Sequence, residues 1–191
     1  MAIALMGYGI NDLINTPLWD LMQEKLNSSN LQWEDAIANE KQRSKNIRKS
    51  KISWLDDTYL REQLFYSVNL YNQQKWNYDL DGCDSLQYGI YSAGGFYDWH
   101  IDEESEIHNI NGKALIRKLS MTIWLNDPNE YEGGEFDIEI KGPFEDIRYD
   151  TLKLKKGSIV IFPSDMWHRV RPVTSGVRKS LVTWFRGAPF R

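Results

Sequence analysis

The sequence predicts a mainly β protein with flanking helices: a double-stranded β-helix, or jelly-roll, core of about eight strands supported by N-terminal α-helices. Three observations predict it. The texture of the chain changes near Ser85, from stretches of helical periodicity to short apolar runs broken by turns. The runs, at residues 85–91, 98–102, 117–125, 134–140, 150–154, 158–162, 168–173 and 177–185, all have strand length. A chain of 191 residues with 41% hydrophobic and 13% aromatic content can bury one substantial core and is not disordered. One domain is expected over residues 1–191, with 1–84 as helical support and a lid segment and 85–191 as the jelly roll, whose mouth is a natural ligand pocket.

In chain order, residues 11–26 carry Leu13, Ile14, Leu18, Leu21, Met22 and Leu26 at near-helical spacing, with Asn15 or Thr16 as cap before Pro17. Asp56, Asp57 and Thr58 open a second helix toward Lys75, with Leu60, Leu64, Val68 and Tyr71 on one stripe that packs against the sheet. Residues 158–172 read as a buried strand, a turn at Pro163, Ser164 and Asp165, and a second strand with His168 near its start. Residues 173–177, VTSGV, read as a three-residue hairpin loop with Gly176 in the left-handed position. Such a loop pairs Val173 with Val177 and puts His168 and Arg178 on one face of the sheet, on the order of 10 Å apart.

Charge and cysteine content narrow the class. The net charge of −4 gives no general drive toward nucleic acid or anionic membranes, and no stretch approaches a membrane span. Nothing in the sequence specifies an oligomeric interface. The first residues lack the basic and apolar regions of a secretory leader. Cys83 is the only cysteine, which excludes an intramolecular disulfide, fits a cytoplasmic protein, and reads as an unreactive, partly buried thiol. Residues 41–51 form a basic run; a solvated loop is the ordinary reading, and a lid over the barrel mouth, testable at Lys45, Arg48 and Lys49, is the functional one. Glu103, Glu104 and Glu106 form an acidic cluster, ordinarily a solvated loop before His108 and, on the functional reading, an attractor for a cationic peptide at the mouth. Substrate specificity is expected from loops at 40–55, 103–116 and 141–150.

The chemistry concentrates in His100, Asp102 and His168. Residues i and i+2 of a strand point to one side, so His100 and Asp102 can converge on one ion, with His168 arriving from a second strand. Two neutral imidazoles and one carboxylate on one face of a divalent metal leave the opposite positions open, the arrangement of non-heme iron oxygenases. An isolated histidine is ordinarily a core or surface residue; the set of three, followed ten positions later by Arg178, is far more specific. Arg178 presents a planar fork that takes a carboxylate through two charge-assisted bonds, and Ser180 adds a hydroxyl. A dicarboxylate bridging metal and Arg178 fits that spacing. His108 lacks strand context and reads as no ligand. Tyr88, Tyr97, Trp99, Trp124, Trp167 and Trp184 crowd the site strands, mostly as core, with one or two as pocket wall.

The run YGIYSAGGFYDWHID at 88–102, the GGEF turn at 133–136, and GSIVIFP at 157–163 leading to His168, Arg178 and Trp184 resemble iron(II)- and 2-oxoglutarate-dependent dioxygenases. Within them the chain looks most like the prolyl 4-hydroxylase branch, including its small bacterial and phage members. The resemblance covers roughly residues 85 to 186. It implies an enzyme with iron(II) held by His100, Asp102 and His168, and with Arg178, Tyr91 and Ser180 binding 2-oxoglutarate. It further implies dioxygen as cosubstrate, ascorbate as a reductant, and hydroxylation of a peptidyl proline coupled to release of succinate and carbon dioxide. Collagen-type members commonly carry lysine where this chain has Arg178, which argues against collagen as substrate. Two other readings stand beside this one. A nucleic-acid alkyl-lesion demethylase would use the same cofactors on a flipped base; the basic run favours it, while the net charge and the tyrosine-glycine pattern before His100 oppose it. A non-catalytic jelly-roll binding module is opposed by the intact ligand set.

Overall fold

The computed structural model of the chain describes residues 7–36, 47–103, 107–110, 112–140 and 148–190. Its elements in chain order are β1 (Gly9–Asp12), α1 (Pro17–Ser28), β2 (Glu34–Asp35), β3 (Arg48–Lys49), β4 (Lys51–Leu55), α2 (Thr58–Lys75), β5 (Gly82–Cys83), β6 (Leu86–Ser92), β7 (Phe96–His100), β8 (His108–Ile110), β9 (Lys113–Trp124), β10 (Tyr131–Gly133), β11 (Phe136–Glu139), β12 (Tyr149–Leu152), β13 (Ser158–Pro163), β14 (His168–Val170) and β15 (Val173–Gly187). The strands form two antiparallel sheets. The major sheet runs β1-β13-β9-β15-β6-β4-β2, with β5 and β10 on β15 and β8 on β9, and the minor sheet runs β12-β11-β14-β7-β3. This is the expected jelly roll with two helices.

Both helices start where their sequences supply a cap. Thr16 Oγ1 accepts from the Trp19 N–H at 3.2 Å with Pro17 in the first turn, and Asp57 Oδ1 accepts from the Leu60 N–H at 2.8 Å. Leu60, Leu64 and Val68 then fall on one buried stripe of α2, as their spacing predicts. That stripe and Trp19 and Met22 of α1 pack on Leu119, Met121, Ile123, Ile159, Ile161, Leu181 and Phe185 of the major sheet. Alternate residues of the same strands, Trp124, Val160 and Phe162, face the minor sheet and meet Phe136, Ile138 and Val170. β9 is thus buried on both faces from Lys118 to Trp124, with apolar Leu119, Met121 and Ile123 toward the helices alternating with Lys118, Ser120, Thr122 and Trp124 on the opposite face.

Four expectations require correction. Residues 1–84 are not purely helical: β1 to β5 precede Ser85, and β1 and β4 extend the major sheet. Such short strands owe their form to the neighbouring strand that pairs them. The 173–177 hairpin does not exist, because Val173 begins a single strand that runs to Gly187, while His168 belongs to the other sheet. The chain changes sheet at Arg171 and Pro172. Gly176 does adopt a left-handed φ of 72°, but where Tyr131 of β10 pairs with it, at a site where a side chain would strike Glu130 O. Asp102 lies beyond the end of β7, so strand alternation does not place it. His108 does sit in a strand, β8, paired with Leu115. Residues 41–46 of the basic run, Glu104, Glu106 and residues 141–147 lie outside the described residues. Arg48 and Lys49 of that run form β3, at the edge of the minor sheet.

Cys83 is partly buried, with Sγ 3.3 Å from Thr183 Oγ1 and from Asp84 O. Burial pushes its thiol up to about 11. At pH 8 the native thiol should react with iodoacetamide roughly a hundredfold more slowly than in the urea-denatured chain, since the thiolate is the nucleophile. Equal rates in both states, followed by mass, would contradict this burial.

Candidate active site

β14 and β7 are antiparallel neighbours with His168 directly opposite His100, and the two rings stand 4.1 Å apart between centroids. Asp102, just past β7, is fixed by its backbone, its N–H donating to Ser164 O at 2.9 Å. Its carboxylate oxygens then lie 3.4 Å from His168 Nε2 and 3.7 Å from His100 Nε2. An ion bonded to nitrogen and oxygen at about 2.1 Å sets neighbouring donors about 3 to 3.5 Å apart, so the cluster has the dimensions of a metal centre. Each Nδ1 faces a backbone carbonyl, Asp98 O at 2.7 Å for His100 and Met166 O at 2.9 Å for His168. A carbonyl only accepts, so the protons sit on Nδ1 and both Nε2 lone pairs point at the carboxylate. This is the donor set of a divalent ion, and among the described residues it is the only such cluster.

Electrostatics agree. Burial, reinforced by His168 alongside, lowers the His100 imidazole to about 3, keeping it a neutral ligand. Burial acts to raise the Asp102 carboxyl, but the positive charge that His168 or His100 acquires on protonation, together with Arg117, outweighs it and holds the carboxyl below the usual carboxylate range.

Behind the cluster lies a second polar centre on the facing sheet. Arg178 on β15 is paired in register with Tyr91 of β6 and is 1% exposed. Its guanidinium donates from Nη1 to Ser180 Oγ at 3.0 Å and stands 5.4 and 5.3 Å from the Tyr91 and Trp124 ring centroids. Burial lowers its pKa, with Tyr91 and Tyr131 opposing, and it remains a cation. Arg178 Nε and Nη2, Trp124 Nε1 and Tyr131 Oη are all buried without a hydrogen-bond partner among the described residues. Unmatched buried donors of this kind converge where an anion belongs, and a carboxylate satisfies them together. Trp124, Phe136 and His168 link the two centres through ring contacts of 5.8 and 5.5 Å. Gly134 keeps the wall open, since a Cβ there would stand 3.1 Å from Arg178 Cδ.

All six residues singled out in the sequence, His100, Asp102, His168, Arg178, Tyr91 and Ser180, therefore line one interior between the sheets. Arg178 gets there by facing His168 across the sandwich, whereas the expected hairpin would have set it beside His168. Sequence reasoning missed Tyr131, which carries no local signal, and it did not separate Trp124 from the other aromatics. Of those, Trp184 stacks under Arg117 with its ring centroid 3.9 Å from the guanidinium, Trp99 packs on Tyr149, and Trp167 is exposed.

Comparison with known proteins gives the same picture. A PKHD-type hydroxylase of Psychrobacter sp. (strain PRwf-1) is 36% identical over 97 residues, 51% of this chain and 36% of that protein, so the chain matches little more than a third of that relative's length. The crystal structure of a Pseudomonas putida prolyl-4-hydroxylase shares the fold with a TM-score of 0.66 at 21% identity, over 96% of this chain and 94% of that one. A prolyl hydroxylase from Trichoplax adhaerens, solved with a hypoxia inducible factor peptide fragment, has a TM-score of 0.63 at 19% identity, over 94% and 83%. Residues 86–186, which hold the whole constellation from Tyr91 to Trp184, match the model of the 2OG-Fe(II) oxygenase superfamily, and the chain belongs to that family.

Proposed function

We propose that this chain is an Fe(II)- and 2-oxoglutarate-dependent dioxygenase that hydroxylates a peptidyl proline. One observation carries the reading: a buried two-histidine, one-carboxylate cluster shares its interior with a buried arginine whose Nε and Nη2 lack partners. Iron(II) and 2-oxoglutarate, when bound, supply the oxidising chemistry, with dioxygen consumed and succinate and carbon dioxide released, and ascorbate serving as external reductant. The protein's part is placement. His100 and His168 offer Nε2 lone pairs fixed by their Nδ1 bonds, and Asp102 offers an ionised carboxylate. Arg178 receives the distal carboxylate of the cosubstrate, with Ser180 orienting the guanidinium and Tyr91, Trp124 and Tyr131 walling the pocket. Phe136, Val160 and Phe162 exclude water behind the metal, which strengthens each of these interactions.

Proline in a peptide is favoured as the substrate because the relatives with the same fold include prolyl hydroxylases, one of them solved with a peptide. A proline-rich peptide library incubated with the protein, iron(II) and 2-oxoglutarate should yield products one oxygen heavier, located on proline by fragmentation. Oxidation confined to alkylated DNA offered in parallel would replace this reading with the demethylase. Failure of 2-oxoglutarate to bind the iron-loaded protein would leave the non-catalytic module.

A further inference from the structure

We propose that Arg48 is a receptor for a substrate carboxylate, so that the preferred peptide carries an aspartate or glutamate near the reacting proline; this rests on the prolyl hydroxylase reading above. Arg48 belongs to the basic run that the catalytic site leaves unused. β3, the edge strand of the minor sheet, and β4, which lies between β6 and β2 of the major sheet, are separated only by Ser50 and bridge the two sheets. In that bridge Arg48 pairs with Tyr97 of β7 and holds its guanidinium carbon 4.5 Å over the Tyr97 ring centroid. The Tyr97 ring is itself stacked on His100, 3.4 Å between centroids and 12° from parallel. With His100 covering one face of Tyr97, the guanidinium takes the other, one ring away from an iron ligand.

The partners of Arg48 fix it without neutralising it. Nε donates to Ser50 Oγ at 3.0 Å and Nη2 to Gln87 Oε1 at 2.8 Å, both uncharged acceptors. Arg61, Arg117, Arg169, Arg171 and Arg186 each meet a carboxylate; Arg48 meets none among the described residues. Gln87 is 6% exposed and sits in register with Trp54, whose half-exposed ring forms the adjoining wall 6.3 Å from Trp184. A preoriented guanidinium whose Nη1 has no partner among the described residues, beside an aromatic wall, suits a carboxylate on a chain laid across that wall. An extended peptide advances about 3.3 Å per residue, which puts the acidic residue within about three positions of the proline. Lys49 and Lys51 follow Arg48 in the chain, but the net charge of −4 gives the protein no general drive toward a polyphosphate strand.

The probes are fluorescein-labelled nonapeptides of alanine with a central proline, in which one glutamate walks from three positions before to three after, and a matched glutamine set. Binding to the iron- and 2-oxoglutarate-loaded protein is read by anisotropy under anaerobic conditions, and hydroxylation by mass after air is admitted. At one position wild type should prefer glutamate over glutamine by about tenfold in Kd and kcat/KM, the size of one exposed charge-assisted contact. Arg48→Gln should remove that ratio, and Arg48→Glu should transfer the preference to a lysine peptide. A purely structural role in supporting Tyr97 and His100 would weaken both sets equally and keep the ratio. Hydroxylation of all peptides without regard to charge overturns the carboxylate receptor and leaves the prolyl hydroxylase reading standing; hydroxylation of none overturns both. Tighter binding of a thymidine oligonucleotide than of any peptide assigns the surface to nucleic acid and overturns the proposal.

Discussion

Replacing His168 with alanine should abolish stoichiometric iron binding, and with it turnover, because three protein donors are near the minimum that holds an ion while leaving positions open. The same result is expected for His100→Ala and Asp102→Ala. Anaerobic titration with iron(II) and 2-oxoglutarate, following the metal-to-ligand charge-transfer band, reads the loss directly. His108→Ala is the control: it lies on β8 outside the cluster and should bind iron as wild type does. Loss of iron in His108→Ala with retention in His100→Ala would invert the assignment. The fold should survive each ligand substitution, since the imidazole hydrogen bonds run only to the backbone carbonyls of Asp98 and Met166, and each substitution removes an acceptor that faces other acceptors at the cluster.

How much of this was legible in the sequence follows from what kind of force places each residue. The candidate metal donors were readable because few residue types bind a divalent metal and because H-x-D, a distant histidine and an arginine seldom coincide. A buried strand such as β13 was readable because its apolar run is buried on both faces, and β9 because apolar Leu119, Met121 and Ile123 alternate with polar neighbours. The route from His168 to Arg178 was not, because a hairpin and a change of sheet share the same local pattern, and only pairing partners distant in sequence decide between them. β14 pairs with β7 and β11, while β15 pairs with β6, β9 and β10. Asp102 reached the site by the bond from its N–H to Ser164 O, an interaction across distant positions that alternation along β7 could not supply. Tyr131 and Trp124 were opaque as site residues for the same reason: their unpaired polar atoms acquire meaning only beside Arg178. The basic run looked like a loop because strands as short as β3 take their form from a neighbour.

Arg178→Met should separate function from stability. In wild type the guanidinium is held almost entirely out of water by one neutral hydroxyl and two ring faces, so the apo protein carries the desolvation cost of a charge with no counterion. A methionine of similar length fills the space and removes that cost, and the apo variant should be more stable by about 1 to 3 kcal/mol in urea denaturation. Its affinity for 2-oxoglutarate should fall on the order of a hundredfold, because two charge-assisted contacts at roughly 1.5 kcal/mol or more each are lost. Arg178→Lys should be intermediate, a point charge replacing a fork. The cosubstrate should therefore raise the Tm of iron-loaded wild type strongly and of Arg178→Met weakly, reversing the order of stability between apo and loaded states. Iron binding itself should persist in both variants, since no metal donor is touched. An apo Arg178→Met less stable than wild type would mean that the guanidinium is already compensated within the fold, and unchanged 2-oxoglutarate affinity would place the distal carboxylate on some other group.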